Sequence, residues 1–265
     1  MTATSGNGVP TAPLAELRGV SKRFGAVQAL RHVDLQINAA EVMALVGDNG
    51  AGKSTLVKTL AGINAPDEGE ITFEGRSVHM HGPKDAVALG IATVYQDLAL
   101  CDNLDVVGNL FLGREQTGGV LRALSEEQME RRARAVLEDL HVTTLKSPRL
   151  PVASLSGGQR QSVAVARAVM WSAKLMLLDE PTAALGVAQT RQVLDLILRL
   201  KQQGKAVIVI SHNLADVFEV ADRIVVLRLG TNAGEFDVRS TTRADVVAAI
   251  TGAEFGQLRD TAATA

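Results

Sequence analysis

A single cysteine, Cys101, stands in the 265 residues of this chain, which excludes an intrachain disulfide and a cysteine-only metal cluster. It reads as a small inert side chain in a reducing compartment. No apolar run approaches the ~20 residues that a membrane-crossing helix needs, and the longest stretches, such as Ala206 to Ile210, have the length of buried strands. Any membrane role is therefore peripheral. Excess charge of either sign is missing too: the formal net charge is −2 and the pI about 6.2, so bulk electrostatics draw the chain neither to nucleic acid nor to anionic lipid, and no nucleic-acid partner is expected. No repeat with a period of about 20 to 50 residues is visible, which argues against a solenoid or a tandem duplication. The opening Met1 to Pro13, rich in Ala, Thr, Gly, Ser and Pro, lacks the basic start and apolar stretch of a signal peptide and reads as a loose tail. What the chain does have is a hydrophobic content of 46%, enough for a substantial core in one large domain or two lobes.

Periodicity sorts the rest into strands and helices. Apolar segments of strand length run over 14–20, 32–37, 41–46, 70–73, 91–95, 175–178, 206–211 and 223–229. Several are almost wholly apolar, as strands covered on both faces should be. Between 96 and 155 helical signals take over: 105–112 is a short helical stretch, and Ser125-Glu126-Glu127-Gln128 has the form of a capping box opening a helix that reaches about Leu140. Pro148 and Pro151 mark the return to alternation. An amphipathic helix over 242–250 ends at Gly252. The expected architecture is α/β, with a core over 14–96 and 156–252, a helical subdomain inserted over about 97–155, a loose 1–13 and a frayed 253–265.

The run Gly47-Asp48-Asn49-Gly50-Ala51-Gly52-Lys53-Ser54-Thr55 fits the phosphate-cradling pattern G-x-x-x-x-G-K-[ST] at every fixed position. It lies between a buried strand, 41–46, and a helix, 53–61, closed by Gly62, which is the context the mechanism requires. The glycines let the loop turn back without a Cβ clash, so that successive N–H groups face phosphate oxygens beside the positive end of the helix. Lys53 then reaches the β and γ phosphates and the Ser54 hydroxyl holds Mg²⁺, so a nucleoside triphosphate is the expected ligand.

Other stretches add chemistry to that loop. In Leu155-Ser156-Gly157-Gly158-Gln159, Ser156 is placed to cap the helix that follows, while Gly157 and Gly158 leave its first N–H groups bare as a second anion site. Leu175-Met176-Leu177-Leu178-Asp179-Glu180 is an apolar strand delivering two acids at its carboxyl end, where ligands of open α/β sheets bind. Adjacent strand side chains point oppositely, so Asp179 suits the Mg²⁺ shell and Glu180 is free to orient or deprotonate a water aimed at the γ phosphate. His212, directly after the strand 206–211, emerges at the same edge as a hydrogen-bond donor. His32, His79, His81 and His141 show no paired metal-ligand spacing and read as surface or packing residues.

This ordered set resembles the ATP-binding subunit of an ABC transporter, with LSGGQ intact at Leu155 to Gln159 and the match running from about Leu14 to Gly230. The resemblance implies a phosphate-loop NTPase core with a mixed, mainly parallel sheet, an N-terminal antiparallel β portion and an inserted helical subdomain. It places Gln96 where the family links Mg²⁺ and nucleotide to the helical lobe and the permease contact, and Phe24 where an aromatic stacks on adenine. It further implies that Ser156, Gly157, Gly158 and Gln159 complete the ATP site of a second copy, so that the chain hydrolyses ATP as a head-to-tail dimer. Integral membrane permease subunits and, indirectly, a periplasmic sugar-binding protein are the other implied partners. The implied location is the cytoplasmic face of a bacterial inner membrane.

One position departs from the family's pattern. After Pro181-Thr182 the family usually places an aspartate in a short loop; this chain reads Ala183-Ala184-Leu185-Gly186, and Gly186 has no carboxylate. The run Pro181 to Val187 is instead similar to sugar-importer ATPases of the second carbohydrate-uptake class, as is Ser211-His212-Asn213 with Val217 to Arg223 after it. Such importers often fuse two cassettes, whereas one is expected here, without the regulatory extension of other sugar-importer ATPases. The expected function is ATP hydrolysis that powers uptake of a small solute, a monosaccharide by resemblance. An exporter ATPase and a non-transport ABC protein binding nucleic acid or the ribosome are the alternatives.

Overall fold

The computed structural model describes residues 12–118, 123–171 and 173–253, so the expected loose segments 1–13 and 253–265 lie outside it apart from 12, 13 and 253. The chain opens with a long hairpin, β1 (Ala15–Phe24) and β2 (Val27–Ile37). Next come β3 (Val42–Val46), α1 (Lys53–Leu60), β4 (Glu68–Phe73), β5 (Arg76–Ser77), α2 (Pro83–Leu89) and β6 (Ile91–Val94). A mainly helical stretch follows, with α3 (Val106–Phe111), a small hairpin of β7 (Thr117–Gly118) and β8 (Ala123–Leu124), α4 (Glu126–Asp139) and α5 (Gly157–Met170). Alternation then resumes through β9 (Leu175–Asp179), α6 (Val187–Gln202), β10 (Ala206–Ile210), α7 (Leu214–Val220), β11 (Arg223–Arg228), β12 (Thr231–Asp237) and α8 (Arg243–Thr251).

Two larger sheets result. The first is antiparallel in the order β2-β1-β4-β5, the N-terminal portion that the family resemblance implies. The second has the order β12-β11-β3-β10-β9-β6 and is parallel except for the β11–β12 hairpin. Its central strands VMALV and AVIVI are buried at every residue, because both faces are covered. The pleat divides their side chains. Met43, Leu45, Leu175, Leu177, Ile208 and Ile210 face the antiparallel sheet and α1, whereas Met176, Leu178, Val207 and Val209 face a cluster built with α3, α4, α5 and α6. The helical stretch thus shares its apolar core with the underside of the sheet.

Ser125 does not close a capping box. It precedes α4, but its side chain makes no cap hydrogen bond; its N–H is engaged by the Gln116 carbonyl, and its hydroxyl lies against Gly118 of the small hairpin. The N–H that a box would engage is thus already paired. Real boxes form at α5, between Ser156 and Gln159, and at α8, between Thr242 and Asp245.

Candidate functional site

Strand order builds the site. β3, β10, β9 and β6 lie side by side and parallel, with Ile210 beside both Leu45 and Asp179, and Val94 beside Leu178. Their carboxyl ends therefore deliver, along one edge, the loop after Val46, then His212, then Asp179 and Glu180, then Gln96. This is where the crevice of an open α/β sheet binds ligands.

The loop is held by close backbone approach. Gly47 has φ 149°, and a Cβ there would strike the carbonyl oxygen of Leu227 on β11. Gly52 has φ 104°, and its Cβ would lie 2.7 Å from the Ala29 carbonyl oxygen of β2. Only glycine fits either position. Between them Asp48, Asn49 and Gly50 are exposed, Ala51 is buried, and the Ala51 N–H donates to the Asp48 carbonyl at 3.1 Å. Lys53 arches back over the loop, its Nζ donating to the carbonyls of Gly47 at 2.6 Å and Asp48 at 3.0 Å. Ser54 is exposed and Thr55 half-buried in the first turn of α1, whose start carries no side-chain cap, so its leading N–H groups stay available to an anion.

The two acids diverge for a reason other than the pleat. β9 ends at Asp179, and Glu180 leaves it in the left-handed region at φ 50°, its N–H still donating to the Ile210 carbonyl at 2.9 Å. That turn aims Glu180 at His212, and Glu180 Oε2 lies 2.9 Å from His212 Nδ1. The Glu180 side chain is 18% exposed and that of His212 is 76% exposed, so the pair has a sheltered acid and an open imidazole. Left-handed backbone at a non-glycine residue costs on the order of 1 kcal/mol or more and clusters at functional positions.

Burial, and then repulsion from Glu180, pushes the Asp179 carboxyl above its ordinary value, while Lys53 and Lys58 pull it down. A cation beside Asp179 would relieve both unfavourable effects. The Ser54 hydroxyl and the Asp179 carboxylate are oxygen donors of the kind Mg²⁺ takes, and the two would fit that ion. Among the described residues no group of three or more His, Cys, Asp or Glu forms a metal cage. The raised value also fixes a sign. Folded Asp179 holds its proton more tightly than the unfolded chain does, so stability from this group is present below the unfolded value and lost as pH rises through the folded value. Asp179→Asn is expected to raise the melting temperature of the nucleotide-free protein at pH 7, by about 2–4 °C for each ~1 kcal/mol of repulsion relieved. The gain shrinks on acidification. Melting curves at pH 7 and pH 5 check this, and a variant that melts below wild type at pH 7 contradicts it.

Gln96 is exposed just beyond β6. Phe24 ends β1 at 47% exposure with Lys22 Nζ 5.7 Å from its ring centre, and β2 of the same hairpin packs on Gly52 through Ala29. The LSGGQ segment stands apart from these residues. Ser156 caps α5 by accepting from the Gln159 N–H at 3.4 Å, the Gln159 side chain returns to the Ser156 N–H at 2.9 Å, and Gln159 Nε2 donates to the Thr144 carbonyl at 2.8 Å. None of these bonds runs to the chain's own phosphate loop. Ser156 and Gly157 are exposed, while Gly158 is buried under Gln189 of α6. Leu185 and Gln189 were not expected at the site; the signal was the Gly157-Gly158 pair, since adjacent glycines often mark a close approach of something else.

The sequence profile of a family described as ABC transporter matches residues 30–183, which spans the phosphate loop, the LSGGQ segment and both acids. The chain belongs to the ABC transporter family. Among ABC relatives, it is 45% identical over 247 residues to the fructose import ATP-binding protein of Rhizobium meliloti, an alignment covering 91% of this chain and 95% of that one. It is 50% identical over 217 residues to the xylose/arabinose import ATP-binding protein of Sulfolobus acidocaldarius, covering 82% of this chain and 85% of the relative. A dimeric ATP-binding cassette in a post-hydrolysis state, bound to ADP and Pi, superposes with a TM-score of 0.70 at 26% identity, covering 86% of this chain and 100% of that one.

Proposed function

We propose that this chain is the ATP-hydrolysing subunit of an ABC importer for a monosaccharide, active as a head-to-tail pair of copies. The observation that carries the chemistry is the Glu180 to His212 contact at 2.9 Å, set beside the Lys53 loop on one edge of the sheet. The sugar-import reading is supported by the identities of 45% and 50% to fructose and xylose/arabinose import proteins.

In this reading Gly47, Asp48, Asn49, Gly50, Ala51 and Gly52 wrap the triphosphate with their N–H groups, and Phe24 offers its exposed face to the adenine. Lys53 exchanges its loop carbonyls for phosphate oxygens. Ser54 and Asp179, with Gln96 at the margin, would hold Mg²⁺, which would supply neutralisation of phosphate charge. Glu180 orients the attacking water and accepts its proton, while His212 donates toward the phosphoryl oxygens. Ser156, Gly157 and Gly158 of one copy face the nucleotide of the other, supported by the dimeric form of the ADP- and Pi-bound cassette. No helix among the described residues is long and apolar enough to cross a membrane. In this reading, permease subunits carry the solute through the membrane with this chain docked on their cytoplasmic side, as the likeness to import ATP-binding proteins supports. A periplasmic sugar-binding protein delivers the solute in this scheme.

Isolating the native membrane complex and measuring its ATP turnover with individual sugars tests the assignment. A monosaccharide that the complex retains and that raises turnover several-fold is expected. A complex indifferent to sugars, stimulated instead by a compound it extrudes, contradicts it.

A further inference from the structure

We propose that Thr182 and Asp216 are positioning residues for hydrolysis: the hydrogen bond between their side chains braces the turn after Glu180 against the helix after His212, and so keeps the acid and the imidazole in contact. The inference rests on the hydrolytic roles given above to Glu180 and His212, and adds what holds the two together within a single chain.

Two segments meet here, 180–182 and 210–216, and they are tied at both ends. At the inner end the Glu180 N–H donates to the Ile210 carbonyl at 2.9 Å, continuing the pairing of β9 with β10. At the outer end Thr182 Oγ1 donates to Asp216 Oδ2, in the first turn of α7, at 2.7 Å. Along the second segment His212 falls between the two tied residues, so its contact with Glu180 at 2.9 Å is enclosed by both ties.

Each segment is stiffened between its ties. The left-handed Glu180 is followed by the buried Pro181, and the Ala183 N–H donates to the Glu180 carbonyl at 3.1 Å, which closes the turn that carries Thr182. On the other side the buried Ser211 hydroxyl accepts from the Asn213 N–H at 3.0 Å, and the Asn213 side chain accepts from the Ala215 N–H at 3.0 Å. Consecutive turns therefore bracket His212 and lead into α7. Such support is needed, because the His212 side chain is 76% exposed and water competes for its ring nitrogens. The Thr182 to Asp216 bond is better sheltered and has a carboxylate as its acceptor, the stronger kind of hydrogen bond. Cutting it leaves the segment after Ile210 free to swing, and the imidazole moves away from Glu180. A displacement of about 1 Å at a reacting group is enough to slow chemistry by up to about 10²-fold.

The test compares Thr182→Val, which keeps the side-chain shape and removes the hydroxyl, with Thr182→Ser, which keeps the hydroxyl, both in the full chain. Turnover at saturating Mg²⁺ and ATP gives kcat, and a fluorescent ATP analogue gives affinity. Thr182→Val is expected to lower kcat about tenfold with affinity within about twofold of wild type, since the Lys53 loop is untouched, and Thr182→Ser is expected to keep kcat within about twofold. Asp216→Ala cuts the same bond from the other side and is expected to give the same loss, which also serves if Thr182→Val fails to fold. The double variant Thr182→Val/Asp216→Ala then costs no more than either single change, as for two ends of one bond. Losses that multiply in the double variant, an equal loss of affinity and rate, or wild-type kcat in Thr182→Val each overturn the proposal. If Glu180→Gln and His212→Ala also keep wild-type turnover, the hydrolytic reading falls with it; if those two are slow and Thr182→Val is not, the brace alone falls.

Discussion

Glu180→Gln is expected to lower kcat by about 10²–10⁴-fold while ATP affinity stays within a few-fold of wild type. The substitution is nearly isosteric, and the amide oxygen of glutamine can still accept from His212 Nδ1, so the contact seen at 2.9 Å survives. What is lost is the ability to take a proton from the attacking water. The sheltered position of Glu180, at 18% side-chain exposure, matters here, because bulk water cannot easily substitute for a general base on that side of the edge. Single-turnover hydrolysis paired with equilibrium binding separates the two quantities. Wild-type turnover in the purified variant would remove Glu180 from its role.

Lys53→Ala is expected to lower kcat/KM by about 10²–10³-fold, the usual consequence of deleting a group that stabilises developing charge. Two effects add to it. The ammonium donates to the carbonyls of Gly47 and Asp48, so removing it also releases the loop from its folded-back form. It also holds down the Asp179 carboxyl, which burial and Glu180 already push up, so the variant should lose activity on mild acidification sooner than wild type. A pH profile of turnover, with nucleotide binding measured in parallel, checks both. Unchanged kcat/KM would contradict the placement of Lys53 on the phosphates.

The phosphate loop was legible because its chemistry is local: the glycines that pack on Leu227 and Ala29 are the same ones the motif requires. The strand segments over 41–46, 175–178, 206–211 and 223–229 were legible for a similar reason, as burial on both faces leaves a continuous apolar run. The meeting of Glu180 with His212 was not, because it depends on β10 lying between β3 and β9, an order that no residue pattern encodes. Nor was the left-handed turn at Glu180 visible; the strand's alternation suggested a divergence that the backbone achieves another way. β12 escaped because TNAGEFD is a largely polar edge strand, paired on one side by β11 and carrying Gly234. α6, by contrast, has a readable stripe at helical spacing in Val193, Leu194, Ile197 and Leu200. Ser125 shows the limit of short motifs, since its N–H is taken by the Gln116 carbonyl of the hairpin segment and the local box does not close.

The central claim is that each active site is completed by a second copy, and the mass of Glu180→Gln in saturating Mg²⁺ and ATP tests it most directly. Sedimentation of this variant is expected to give twice the chain mass of 28.0 kDa with ATP and the single-chain mass without it. A variant that binds ATP fully yet sediments as one chain, alongside a wild type that hydrolyses ATP as one chain, would contradict the account.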